Sequence, residues 1–294
     1  MQRKWVRWVS WAAVGLSLVL TAVVLWRGSA QLKDLEWRKF VFPMVLGLLL
    51  YGLSLAVQAG VWTGAVARFT NTSPQWWDVE VFCTTHLMRR LPGPAYMAGR
   101  VMIYRDHGRG TGGALATNLL EWGGLILTGA AWALIGFLGW TGALIVAVFL
   151  GALVILWPKF RTWSRLPAKW QAVADLPVSW ILLVLAAYAL AWLLGGAILY
   201  LLLLAAAPDA PQGFGKTMSA WALAGGASIL MIMVPAGLGV REFGLTVLLQ
   251  PQVTAAIAFL VAILMRVLFT VGDLLWGGLF WLFARHLSRK QLSS

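Results

Sequence analysis

The chain has 294 residues, of which 61% are hydrophobic and only 11% charged, against about 25% charged in an ordinary soluble domain. With a mean hydropathy of +0.80, this excludes a water-soluble globule, a disordered chain and an ordinary nucleic-acid-binding domain, and it predicts an all-α polytopic membrane protein. The net charge of +13 fits cytoplasmic loops that collect Lys and Arg and face anionic headgroups.

A hydrocarbon core about 30 Å thick needs roughly 20 apolar residues in helix. The first such stretch, 5–26, follows Arg3, Lys4 and Arg7. Its apolar run is too long for a signal-peptide core, so it reads as an anchor. The next span is 40–67. Residues 74–107 are also apolar but are interrupted by Leu91-Pro92-Gly93-Pro94. Three uninterrupted stretches follow, at 111–138, 141–157 and 178–206. Residues 217–250 are broken in turn by Val234-Pro235-Ala236-Gly237-Leu238-Gly239, and 253–284 is the last span. Proline removes a donor and glycine adopts non-helical angles cheaply, so each break ends a helix. The flanking pieces are too short to cross unaided. Each broken stretch therefore reads as a re-entrant hairpin that leaves on the side it entered. The expected architecture is one domain of six spans and two hairpins. Tryptophans near span ends, such as Trp5, Trp8, Trp26, Trp37, Trp140, Trp157 and Trp180, match the interfacial preference of the indole.

Sidedness follows from the basic residues. With the N-terminus inside, segments 1–7, 68–110, 158–177 and 285–294 carry sixteen Lys and Arg, against five in 27–39 and 207–216. This places both termini in the cytoplasm and makes the protein a multi-pass protein of the cell membrane.

The order of spans and breaks repeats. Pro92 and Pro235 are 143 residues apart, and the spans after them start 142 apart. The repeats are 1–139 and 140–294. Three crossings per half is an odd number, so the second half is inverted, an arrangement typical of transporters whose broken helices meet at the midplane.

Ionisable residues inside spans are costly and mark function by default. Glu121 and Arg266 stand at near-equivalent places in the two halves, with opposite charge. Asp273 lies two turns after Arg266. Arg241 and Glu242 follow the second break directly, Arg100 follows the first, and Glu80, Arg89 and Arg90 precede the first. The plainer alternative is that Glu121, Arg266, Arg241 and Glu242 only pair with each other and lock the halves, and that Glu80, Arg89 and Arg90 lie at the cytoplasmic surface. The run Arg105, Asp106, His107, Arg109 reads as a solvated loop. Catalytic signals are poor. His86, His107 and His286 are scattered, and Cys83 with His86 lacks further ligands. No zinc-protease motif or serine elbow occurs. Gly213-Phe214-Gly215-Lys216-Thr217 mimics the end of a phosphate loop without its first glycine or a preceding strand, so it reads as an outside loop and helix start. No metal or cofactor is expected.

The stretches LPGPAYMAGR, YRDHGRG and LATNLLEW at 91–122, and VPAGLGVREFGL at 234–245 followed by AILMR at 262–266, resemble the two characteristic blocks of the lysylphosphatidylglycerol synthase transmembrane-region family of flippase-like membrane proteins. The resemblance carries that family's motif onto Pro92, Gly93 and Arg100, onto Glu121, onto Pro235, Gly237, Gly239, Arg241 and Glu242, and onto Arg266. Ala236 departs from a usual glycine, and Trp122 from a basic residue. The resemblance implies movement of a lipid or lipid-linked headgroup between leaflets. The leading expectation is a flippase for an anionic, aminoacylated or isoprenoid-linked phospholipid, with Arg100, Glu121, Arg241, Glu242 and Arg266 binding substrate. Two alternatives stay open: a membrane-embedded transferase acting on a lipid phosphate, with Glu242 or Glu121 as base, and an accessory scaffold for lipid-modifying enzymes.

Overall fold

A backbone in lipid must satisfy its own amides and carbonyls, and long apolar runs do this as helices. The computed structural model describes residues 36–88, 95–161, 175–210, 213–231 and 239–293, and no strand occurs among them. The helices are α1 (Val41–Thr70), α2 (Trp76–Leu87), α3 (Ala95–Asp106), α4 (Thr111–Leu138), α5 (Trp140–Arg161), α6 (Val178–Ala206), α7 (Phe214–Leu230), α8 (Val240–Leu249), α9 (Ala255–Gly272) and α10 (Gly278–Ser293). A short π-helical turn, Asp273–Gly277, joins α9 to α10 in one rod.

Five helical rods of the described residues are long and apolar enough to cross a bilayer: Trp37–Thr70, Thr111–Leu138, Trp140–Phe160, Val178–Ala206 and Ala255–Ser288. They correspond to the expected spans from 40–67 onward. The expected span 5–26 lies outside the described residues, as do Arg89, Arg90, Pro92, Gly93, Pro235 and Gly237. The flanks of both breaks are short helices, α2 with α3 and α7 with α8, each packed as a pair.

Local chemistry sets the ends. α1 stops where Asn71 takes a left-handed conformation (φ 51°), and the Thr72 amide turns back to the Ala67 carbonyl at 2.9 Å. α2 begins at a capping box in which the Gln75 amide donates to Asp78 Oδ2 at 3.1 Å. α8 begins at Gly239, whose φ of +81° suits a residue without Cβ. The amide of Gly239 donates to Glu242 Oε2 at 2.8 Å.

Packing around the two hairpins follows one scheme. α1 packs on α2, α4 and α6; α6 packs on α7, α9 and α1. α4 lies against α3, α6 and α7, while the α9–α10 rod lies against α8, α1 and α2. α5 packs chiefly on α4, with only 6% of its most apolar stretch buried. Glycines bring the rods close, since a methyl at Gly52 would lie 2.6 Å from the Trp276 indole, and one at Gly195 2.5 Å from that of Trp221.

The tryptophans divide into two sets. Trp37 and Trp140, at rod ends, are 53% and 84% exposed, as an interfacial role requires. Others fasten helices from within. Trp276 donates to the Leu48 carbonyl at 2.8 Å, Trp192 to Leu125 at 3.0 Å, and Trp132 to Ala189 at 2.9 Å. An indole buried in an apolar core seeks such a partner for its one donor.

Candidate functional site

Four of the charges expected within the membrane form two arginine–glutamate pairs, Arg100 with Glu121 and Arg266 with Glu242. Arg100 lies on α3 and Glu121 on α4. The Arg100 guanidinium donates through Nη1 to Glu121 Oε2, and to Asn118 Oδ1 at 3.2 Å. Its Nε donates to Thr85 Oγ1 of α2 at 3.0 Å. Both side chains are fully enclosed, at 0% and 1% exposure. The guanidinium carbon also sits 3.9 Å from the ring centre of Trp62, 5.0 Å from Phe82 and 5.2 Å from Tyr96. These distances fall within the reach of cation–π attraction, about 6 Å. One cation thus ties α1, α2, α3 and α4 together. Trp122, where the resemblance would favour a basic residue, donates its indole to the Tyr96 hydroxyl. Glu121 finds its cation on α3 instead.

In the second half the signs are exchanged. Glu242, on the hairpin helix α8, accepts from Arg266 of α9 at 2.5 Å. This pair is more open: the Arg266 side chain is 25% exposed and Glu242 8%. The other carboxylate oxygen of Glu242 caps α8 at Gly239, so the left-handed glycine holds the glutamate towards α9. Arg241 meets aromatic rings of α7 and α9. Its guanidinium lies 4.5 Å from the Trp221 ring centre and 5.9 Å from that of Phe269.

Of the residues expected to bind substrate, the fold therefore joins Arg100 to Glu121 and Glu242 to Arg266. It does not join Glu121 to Arg266, the two charges at near-equivalent places in the sequence. Glu121 lies ten residues after the start of its rod and Arg266 eleven after the start of its own, or about 15 and 17 Å along the helix.

Two clusters escaped the sequence reading. At the hairpin base, Tyr104 donates to Asp78 Oδ1 at 2.5 Å, and Arg109 Nη1 lies 3.6 Å from the same oxygen. Arg109 also stacks over Trp77 at 4.3 Å. The run 105–109, expected as a solvated loop, is one only in part: Arg105 and Asp106 are exposed on the last turn of α3, His107 is exposed in the turn that follows, and Arg109 closes the hairpin. The second cluster is central. Tyr51 donates to Asp273 Oδ1, and His86 Nε2 lies 3.3 Å from that oxygen. Tyr51 and Asp273 stand near the middle of their rods, so His86, on the last turn of α2, lies level with that middle. The Tyr51 ring stacks on Phe269 at 4.6 Å, the ring that also meets Arg241. Two aromatic rings therefore connect the inner ends of the two hairpins.

Neither a known protein-family model nor a curated protein matches the chain.

Proposed function

We propose that the chain moves a lipid with an anionic headgroup between leaflets, by alternating access of two inverted repeats of six spans and two re-entrant hairpins. The observation that carries this reading is the matched pair of intramembrane ion pairs, each joining the second hairpin helix to the following span. Exchanging α1 with α6, α2 with α7, α3 with α8, and α4 with the α9–α10 rod turns the packing scheme into itself. A pseudo-two-fold in the membrane plane would produce that correspondence. The resemblance of the two sequence blocks to the lysylphosphatidylglycerol synthase transmembrane-region family points the same way.

The unequal burial of the pairs fits alternating access. In an inverted-repeat transporter the halves hold different conformations and exchange them as the site changes sides. Arg100 and Glu121 are shut here, while Arg266 is partly open. In this state Arg266 and Arg241 would meet the lipid phosphate, and Glu242 would orient Arg266. In the opposite state Arg100 and Glu121 would open. Acyl chains remain in the bilayer, which requires a lateral opening between the halves. The cell membrane, with both termini cytoplasmic, is the proposed location.

The complete enclosure of Arg100 favours a second reading, in which the pairs are only structural locks. Reconstituted vesicles carrying a fluorescent phospholipid, scored by the fraction a membrane-impermeant quencher reaches, separate the two. For a headgroup site, Arg266→Met and the double variant Glu242→Gln with Arg266→Met are equally inactive. For a lock, the double neutral variant recovers the activity that Arg266→Met loses. Recovery would sink the headgroup site.

A further inference from the structure

Tyr51, His86 and Asp273 form a polar cluster that the two ion pairs do not use. Each comes from a separate element: α1, the hairpin arm α2, and the first residue of the π-helical turn. Their exposures are 8%, 5% and 6%. Tyr51 gives its one hydroxyl proton to Asp273 Oδ1, yet the hydroxyl also lies 3.5 Å from His86 Nε2. A His–carboxylate cluster at mid-span is the composition of an intramembrane proton relay. Single π-helical turns within α-helices are frequent at functional sites. Gly272, just before the turn, leaves room for the Tyr51 ring, which a methyl would strike.

We propose that Tyr51, His86 and Asp273 form a proton-binding site that couples the relative movement of the two halves to protonation; this rests on the transport reading above. A proton taken from water by His86 Nε2 creates an imidazolium that donates to the ionised Asp273 carboxylate. When the proton returns to water, Nε2 becomes an acceptor, and the single Tyr51 proton then has two acceptors within reach. No other bond is made or broken. The protonated form draws α1 and α2 of the first half onto the rod of the second half, and the neutral form loosens them.

α3 brings Arg100 to Thr85, the neighbour of His86 in sequence, and Glu121 of α4 meets that charge. α2 carries Cys83 and the partly exposed Glu80. α9 carries Arg266, paired to Glu242 of α8, and α8 also places Arg241 over Phe269. On α10, Arg285 and His286 are exposed.

The test uses the full chain in lipid nanodiscs, with carbon-13 at the Cε1 position of its three histidines, His86, His107 and His286. The His86 resonance is expected to titrate between about pH 5 and 9. Asp273→Asn should lower its proton affinity by about tenfold or more, because a carboxylate within about 4 Å favours the charged imidazole. The exposed His107 and His286 serve as internal controls, with resonances that Asp273→Asn leaves unchanged. A His86 that keeps one protonation state throughout, or a midpoint unmoved by Asp273→Asn, overturns the proposal. In vesicles, a pH gradient should change wild-type lipid movement several-fold, and this ratio should fall to one in Asp273→Asn and, independently, in His86→Gln. Wild-type lipid movement indifferent to the gradient, or driven by sodium instead, overturns proton coupling and leaves the transport reading standing. A titrating His86 linked to Asp273 in a protein that moves no lipid supports the proton site and sinks the transport reading.

Discussion

Removing one member of a buried ion pair differs from removing both. Glu121→Gln leaves the Arg100 guanidinium enclosed without its carboxylate, at a cost of about 3–5 kcal/mol. Arg100→Met with Glu121→Gln should regain most of that stability, because the well-packed neutral pair needs no desolvated charge. Thermal unfolding in detergent reads both, and a double variant as unstable as the single would refute the account. At Glu242–Arg266 the same cycle should show a smaller single-variant loss, since Arg266 is 25% exposed and water screens the orphaned charge. The charges themselves were legible in the sequence, because an ionisable residue interrupts an apolar run. Their partners were not. Helical periodicity reports the face of one helix and says nothing of which face lies opposite, so Glu121 could not be assigned to Arg100. His86 and Asp273 were visible one at a time, but 187 positions apart nothing in the chain joins them.

The helices were legible to within a few residues because apolar length and Pro-Gly punctuation encode them directly. The π-helical turn was not, since one extra residue per turn leaves the apolar pattern almost unchanged. Its only trace is the glycines at 272, 277 and 278. Two substitutions test the elements. Gly239→Ala forces a side chain into φ +81°, at a cost of about 1–3 kcal/mol. It should also turn the Glu242 cap away from α9 and lower lipid movement in vesicles. Unchanged stability and activity would show that α8 can start elsewhere. Gly272→Val drives a branched side chain into Tyr51 and should destabilise by about 1–3 kcal/mol, as overpacking does; differential scanning fluorimetry of the purified protein reads it.

The parts of the chain before and after residue 139 meet through α4 on α7, α1 on α6 and the α9–α10 rod on α2, and through aromatic rings at the centre. That long-range packing had no signature in the sequence beyond the equal spacing of the two breaks. The proposed topology puts 208–216 outside and the C-terminus inside. Single cysteines introduced into a Cys83→Ser background should label accordingly with an impermeant maleimide, and external labelling near residue 290 would defeat it. α5 gains a meaning from its place at the edge. A helix packed chiefly on α4 and 6% buried contributes little to the fold's cohesion, yet it adds one crossing to the proposed topology. Its proposed contribution is parity. Replacing it with an unrelated apolar helix of equal length should leave the fold and the proposed lipid movement intact. In the proposed topology, deleting it would present the second half to the bilayer upside down, so that the two halves could no longer be related by an axis in the membrane plane.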